Sequence, residues 1–405
     1  MNNDVLDVAL ALAPKVANVA ADVAARNIGR ESIIRATFLS LVSGRPAFFL
    51  GSPGINKTGT VQDVSRSIDG AVFYDALMPT IVSVEQLLVE QTSIEESTDA
   101  NGIKSIRTRD TLGRAAAAHI LFADEIWKAE PRVLQTLLDL SKGDGVRHEG
   151  RMLKTPLLAF VAASNELPDP EGNLGAMWSR MTIRAVVNSL DRAGKKSLVA
   201  ARINRARGTA SAPAKLSLED VEWLREGRPM VEVSDDIVEI VLDLYQQLLD
   251  EDTAGFDWLW KDDRRFGRVF DVLQASALLD GRSKVNKSDL KALELLLWDT
   301  PEQIGAVKAK VAPLTRTPLS DAQEVVDTLL SPSGTVAEAK AGDRNKLVAA
   351  LAQFDETEHE LDRLAGEVSG DEKSAILVLR KQVDEEKQVT VAAMLGTKFR
   401  VKQNN

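Results

Sequence analysis

The sequence predicts an α/β protein: a parallel sheet covered by helices on both faces, followed by an all-helical region. Three observations carry this. Five short apolar runs between residues 47 and 187 alternate with helical or turn-rich segments, which is the pattern of strands joined by crossover helices. A glycine-containing turn lies directly between the first of these runs and a helix. Beyond about residue 190 the apolar spacing is three-and-four, the helical period.

Taken in order, residues 4–44 read as helix, with Ala, Leu and Val at helical spacing, a break or kink at Pro14, and Gly44 as the stop. AFFL (47–50) is the first strand, and the polar-faced helix after the turn leads to AVFYDALM (71–78), the second. Residues 79–114 are mixed. Glu95, Glu96 and Asp99 form an acidic patch ahead of Asn101 and Gly102, a turn signal. AAAAHILFADE (115–125) is the third strand. An amphipathic helix with Pro131 in its first turn follows. PLLAFVAASNE (156–166) and MTIRAVVN (181–188) complete the sheet. ARINRARGTASAPAK (201–215) reads as a basic loop, and the stretches 217–227, 235–251, 263–281 and 287–298 read as helices. In the tail, Leu347, Leu351, Phe354, Leu361, Leu364 and Val368 recur at spacings of three, four or seven. Ser369 and Gly370 interrupt them before Ile376, Leu379 and Val383 resume. A helical hairpin is expected there, either packed on its own domain or held out as an arm for a partner.

Composition sets the outer limits. The 405 residues carry 50 Lys+Arg against 60 Asp+Glu, a formal net charge of −10, and 44% hydrophobic residues. That length suggests two or three domains, and the apolar share supports a packed core. An acidic chain repels phosphate, so nucleic acid is not an expected partner, although a local basic groove stays compatible. The chain has no cysteine, which excludes disulfides, zinc–thiolate sites and thiol nucleophiles and fits a reducing compartment. Its three histidines argue against a multi-histidine metal site. No stretch reaches the roughly 18 uninterrupted apolar residues of a membrane span. The apolar N-terminus has Asp4 and Asp7 where a signal peptide needs basic residues, and Lys15 interrupts it. The expectation is an amphipathic helix of a cytoplasmic protein that is not secreted.

Two motifs carry chemistry. GSPGINKT (51–58) places Gly51, Ser52, Pro53, Gly54, Ile55, Asn56, Lys57 and Thr58 between a strand and a helix. In that setting backbone N–H groups and the helix N-terminus can surround phosphates. Lys57 would reach the β/γ oxygens and the Thr58 hydroxyl would hold Mg²⁺. Asn56 stands where the motif expects its second glycine. Asn tolerates left-handed backbone better than other side chains, so the loop can survive the change. The second motif is an apolar strand ending in Asp124 and Glu125. In phosphate-loop ATPases the first acid holds Mg²⁺ through water and the second polarises the attacking water. Asn165 ends the next strand, where an amide can orient that water. Each motif alone also fits a plain strand–turn–helix or a capping acid. Their order and spacing point to ATP.

GSPGINKT, LFADEIWKAEPRVLQTLL, FVAASNELP and MWSRMTIR, in that order, resemble the MoxR group of AAA+ ATPases. ADEIWKA and AASNELP are most similar to its RavA subgroup, and DDRRFGRVFDVLQASALLDGR resembles that subgroup's lid helix. The resemblance covers about residues 15–300. It implies a three-layer αβα AAA+ core over 1–195 and an all-α lid over 196–300, leaving 301–405 as a helical C-terminal extension. Lys57 and Thr58 match the Walker A pair, Asp124 and Glu125 the Walker B pair, and Asn165 the first sensor. Arg180 matches the arginine finger, with Arg184 as a possible assistant. Arg264 matches the second sensor, with adjacent Arg265 as the alternative. Ile28 and Gly29 match the stretch lining the adenine pocket. Ser179 stands where the group commonly has Asp, and residues 78–94 do not resemble its usual loop. SKGDGVRHEGRMLKTP (141–156), with basic Lys142, Arg147, His148 and Arg151, occupies the place of a pore hairpin. The implied activity is Mg²⁺-dependent ATP hydrolysis at subunit interfaces of a homo-oligomeric ring, typically a hexamer, that remodels a protein client. A von Willebrand factor A domain protein is the partner implied by the group. The competing expectation is a nucleotide-gated scaffold, weak in hydrolysis because of Asn56 and acting through its tail.

Overall fold

The computed structural model describes residues 2–98, 104–141, 145–148, 150–169, 174–206, 214–250, 255–256, 258–331, 334–340, 346–368 and 370–395. The chain divides into two compact units, Met1–Ala312 and Pro313–Asn405.

In the first unit, β1 (Ala47–Leu50), β2 (Phe73–Leu77), β3 (Ile120–Asp124), β4 (Ala159–Ser164) and β5 (Ile183–Val186) form one parallel sheet in the order β5-β1-β4-β3-β2. The central strands are short and largely apolar, because both their faces are covered: Phe48, Phe49, Phe122 and Val161 are fully buried, whereas β2 at the edge exposes Asp75 and Leu77. Burying each such side chain contributes roughly 1.5–3 kcal/mol. The first strand lies between the last and the fourth, so the chain leaves β1 and β4 in a crevice at their carboxyl ends. That is where ligands bind in open α/β sheets.

Helix α1 (Asn2–Ala11), α2 (Ala13–Arg26), α3 (Glu31–Ser43) and α4 (Lys57–Arg66) precede or follow β1. Pro14 sits in the first turn of α2, where its missing N–H costs nothing, and Leu12 separates α2 from α1. The Asp4–Arg26 run is long and apolar enough to cross a membrane by length and composition. Within it, Ala9, Ala13, Val16, Val19 and Val23 are buried. Gly44 caps α3 in the left-handed conformation at φ 67°.

Two hairpins interrupt the sheet. Val89–Thr98 pairs antiparallel with Lys104–Leu112 between β2 and β3. This insertion falls in the stretch read only as mixed; Asp99, Asn101 and Gly102 lie outside the described residues. Val146–His148 pairs with Arg151–Leu153 in the basic segment ahead of β4; Lys142 there lies outside the described residues.

The segment 201–215, expected to be loop, is helical to Ala206 as part of the helix Arg192–Ala206. Ala and Arg favour helix, and basic composition alone was a poor loop signal. Then come Leu218–Gly227, closed by a Ser217/Asp220 capping box, Asp235–Leu249 and Asp263–Leu279. Lys287–Leu295 is a 3-10 helix rather than the α-helix its periodicity suggested.

The second unit has its own core. Helices Pro318–Leu329, Thr335–Lys340, Leu347–Glu367 and Gly370–Leu395 bury Val326, Val336, Phe354, Leu361, Leu364, Ile376 and Val383 together. The two long helices form the expected hairpin, packed within this unit.

Candidate functional site

The loop between β1 and α4 is shaped by three requirements. A Cβ on Gly51 would stand 2.4 Å from the Val187 carbonyl oxygen, so only glycine lets the loop leave the sheet there. Gly54 has φ 80°. Asn56 has φ 64° and ψ 35°, the left-handed geometry that glycine usually supplies. Its side chain is held too. Asn56 Nδ2 donates to Asn27 Oδ1 at 3.0 Å, which also accepts from Thr60 Oγ1 at 3.2 Å. Asn27 Nδ2 donates to Asp63 at 2.9 Å. Asn56 fits only because residue 59 is glycine: a Cβ there would lie 2.2 Å from Asn56 Oδ1.

Buried Arg30 fastens the loop from beneath. Its Nε donates to the Ile55 carbonyl at 2.7 Å, and its Nη1 to those of Gly29 and Asn188 at 2.6 and 3.2 Å. Asn27, Arg30 and Gly59 were not singled out from sequence. Asn27 and Arg30 flank Ile28 and Gly29, yet nothing in a one-dimensional pattern says which loop they reach.

Lys57 Nζ donates to the carbonyls of Gly51 and Ser52 at 2.6 and 3.2 Å. Burial lowers its ammonium below the ordinary lysine value, and the negative charge of Asp124 partly offsets this. Pro53, Gly54, Ile55, Asn56, Lys57, Thr58 and Gly59 line one cavity of 270 Å³ with Asp124, Glu125 and Asn165. The structure therefore brings together the loop, the acidic strand end and the amide, which are spread over more than a hundred residues of the chain. The Thr58 hydroxyl and Asp124 carboxylate supply hard oxygen donors suited to Mg²⁺.

Glu125 has φ 52°, one of two non-glycine residues with positive φ among the described residues. A strained backbone of that kind at a strand end costs about 1–3 kcal/mol and is concentrated at functional sites. Its N–H donates to Asp124 Oδ1 at 3.0 Å, and its Oε2 accepts from Lys128 Nζ at 2.9 Å.

A second cavity of 690 Å³ shares Gly54, Ile55, Asn56 and Gly59 with the first and continues to Ile28, Asn27, Ser189, Leu190 and Leu198. Ile28 thus lines a space adjoining the phosphate loop. Gly29 lies under Leu190, whose Cδ2 would be 2.4 Å from a Cβ at that position, with φ 67°.

The arginines separate into two sets. Arg180 ends the helix Gly175–Arg180 and Arg264 lies exposed at the start of Asp263–Leu279. Neither is among the residues lining the two cavities. They share a patch with Arg268, whose guanidinium is held below its ordinary value by burial first, then by the positive charge of Arg45, and also by Arg180 and Arg264.

Arg184 and Arg265 are different. Arg184, suggested as an assistant to the finger, is fully buried on β5. It donates to the Met181, Trp178 and Trp298 carbonyls, pairs with Asp299, and stacks 3.6 Å over the Trp178 ring. Arg265, the alternative second sensor, is buried as well. It pairs with Asp299 at 2.9 Å and stacks 3.7 Å over Trp258. Both are structural here, because a guanidinium committed to buried carbonyls and a carboxylate cannot swing to a phosphate. Ser179, where the group commonly has Asp, donates its hydroxyl to Asp262 at 2.6 Å. An Asp there would face that carboxylate.

The chain resembles known proteins over most of its length. A family profile described as the MoxR domain in the MoxR-vWA-beta-propeller ternary systems matches residues 14–226, and one described as an AAA lid domain matches 236–311. An uncharacterised protein of Methanocaldococcus jannaschii is 27% identical over 286 residues, 70% of this chain and 71% of its own. A second from the same organism is 25% identical over 346 residues, 84% and 86% of the two chains. The solved structure of a candidate ATPase from Cytophaga hutchinsonii superposes with a TM-score of 0.54 at 16% identity, covering 76% of this chain and 95% of that one. At that identity the likeness is one of fold.

Proposed function

The chain belongs to the MoxR family of AAA+ ATPases, and on that footing we propose that it hydrolyses ATP with Mg²⁺ at the cavity between the 51–58 loop and Asp124. The observation that carries this is the convergence of Lys57, Thr58, Asp124, Glu125 and Asn165 on one cavity. In this reading the loop N–H groups and Lys57 bind the β- and γ-phosphates, and the adjoining cavity past Ile28 takes the nucleoside. Thr58 and Asp124 would hold Mg²⁺, which neutralises phosphate charge when bound. Glu125 accepts the proton of the attacking water, and Asn165 orients that water.

Arg180 and Arg264 share one patch outside their own chain's cavities. The reading that accounts for both is that the patch serves the nucleotide of a neighbouring copy, stabilising transition-state charge there. This supports a homo-oligomeric ring, with a hexamer as the expected form. The work done would be remodelling of a protein client. The description of the matching family profile favours a von Willebrand factor A domain protein as that client. The RavA likeness rests on ADEIWKA and AASNELP, and a cytoplasmic setting on the absence of cysteine. The scaffold alternative drew its motive from Asn56, and the left-handed backbone of that residue gives it no support.

The test is steady-state ATP turnover by the purified protein and by Glu125→Gln. A loss of roughly 10²-fold or more is expected for a positioned base. Equal turnover in the two would sink the assignment.

A further inference from the structure

We propose that Asn27 is a positioning residue for nucleotide binding: its side chain holds Asn56 in the left-handed backbone that the phosphate loop needs where glycine is missing. This deepens the nucleotide reading given above and rests on it.

Asn27 is fixed before it touches the loop. It is buried and closes α2. Its backbone N–H donates to the Val23 and Ala24 carbonyls at 3.0 Å, and its carbonyl accepts from the Arg30 N–H at 3.1 Å. The side-chain amide is fixed as well. Its Nδ2 donates to the Val23 carbonyl at 3.0 Å and to Asp63 Oδ2 at 2.9 Å. A carbonyl only accepts, so the amide cannot be turned round, and Oδ1 is left to face the loop. There it accepts from Asn56 Nδ2 at 3.0 Å.

Of the groups that meet Asn27, the Asn56 amide depends on it most. The Thr60 hydroxyl also reaches the Asn56 carbonyl, at 2.7 Å. Asp63 has Arg66 at 3.4 Å from its other oxygen. Among the described residues, Asn56 Nδ2 donates to Asn27 alone. The same turn sends Arg30 Nε to the Ile55 carbonyl at 2.7 Å. Residues 27–30 thus grip two successive residues of the loop.

A left-handed residue other than glycine is disfavoured, and for Asn the cost is reduced but not removed. A hydrogen bond from a fixed partner that is made only in this conformation offsets that cost. It acts on affinity through the free protein. A loop that also visits other backbones binds more weakly, in proportion to the fraction that is competent.

The experiment measures binding of adenylyl imidodiphosphate, in Mg²⁺ buffer, to the full-length protein by calorimetry. Asn27→Leu keeps the size and removes the amide. It should raise Kd roughly three- to tenfold, the range of one net hydrogen bond. In an Asn56→Gly background the same change should move Kd by less than about twofold, because glycine takes the left-handed backbone without a clamp. Equal losses in both backgrounds overturn the proposal, since they would mean that Asn27 acts on the site without acting through Asn56. An unchanged Kd for Asn27→Leu also overturns it. Thermal unfolding of the four proteins is followed in parallel, and Asn27→Ser, too short to reach Asn56, takes the place of Asn27→Leu if the leucine prevents folding. If the parent binds no analogue, the nucleotide reading falls and this inference with it. If the parent binds and the two residues show no coupling, only the role of Asn27 falls.

Discussion

Asn56 shows how much a single side chain can be read from sequence and where that reading stops. The left-handed tolerance of Asn predicted that the loop could form without its second glycine, and the backbone takes that conformation. The compensation lies elsewhere, in Gly59, which makes room for the amide, and in Asn27, which binds it. A glycine in the first turn of a helix is ordinarily improved by alanine, by about 0.5–1 kcal/mol. Here Gly59→Ala is expected to destabilise by about 1–3 kcal/mol through overpacking against Asn56. The same change in an Asn56→Gly background should be neutral or stabilising. Denaturant unfolding of the four proteins in the cycle measures this, and equal effects in both backgrounds would show that the two residues do not compete.

At the scale of elements, the strand β5 and the segment ending at Asp299 are joined by charge in an apolar setting. Two buried guanidiniums, Arg184 and Arg265, share the Asp299 carboxylate. Trp178 and Trp298 pack edge-on at 6.3 Å beside them. Removing one partner of such a cluster leaves charge uncompensated, so Asp299→Ala is expected to cost about 3–5 kcal/mol in thermal or denaturant unfolding. Burial alone would raise the Asp299 carboxyl, but Arg184 and then Arg265 outweigh it and hold it below the usual carboxylate range. A depressed folded value means the stabilisation is present at neutral pH. It is lost as pH falls below the unfolded value of about 4 and through the lower folded one. The stability gap between the parent and Asp299→Asn should therefore narrow between pH 7 and pH 3. A gap that widened would mean the carboxylate is not held charged by the arginines. The family resemblance offered Arg184 as an assistant to Arg180 and Arg265 as the alternative to Arg264. Only burial distinguishes Arg264 from Arg265, and the i,i+1 step on a helix turns one out and the other in.

For the whole molecule, Arg180 and Arg264 do not line the cavity that holds Lys57 and Asp124. If the patch acts on a neighbouring copy, activity can be rebuilt from two inactive proteins. Glu125→Gln retains its arginines, and Arg180→Ala retains its carboxylate. Mixed in equal amounts and allowed to exchange subunits, they should recover roughly a quarter of parental turnover, the share of interfaces pairing the intact halves. No recovery would mean that Arg180 does not act on the nucleotide of a neighbouring copy. The Pro313–Asn405 unit has a separate core. Phe354→Ala, at a fully buried position, should cost that unit about 3–5 kcal/mol. Limited proteolysis should then show cleavage confined to residues beyond 312. Cleavage across both units would mean that their stabilities are coupled.

Local chemistry was legible in the chain itself. The five strands follow from apolar runs too short for helices, the strand–turn–helix of residues 51–58 from its glycines, and the candidate metal ligand from paired carboxylates at a strand end. These signals are short-range, so a linear pattern contains them. The antiparallel pairing of 89–98 with 104–112 is hard to read because its polar and charged residues give a weak alternation; the turn signal of Asn101 and Gly102 lies outside the described residues. The fates of Arg184, Arg264 and Arg265 depend on which carbonyls and carboxylates the fold brings to them. So does the support given to the loop by Asn27 and Arg30. Those contacts join residues tens to hundreds of positions apart, and only the packing of the finished structure decides whether an arginine is a buried strut or a cation free to meet a phosphate.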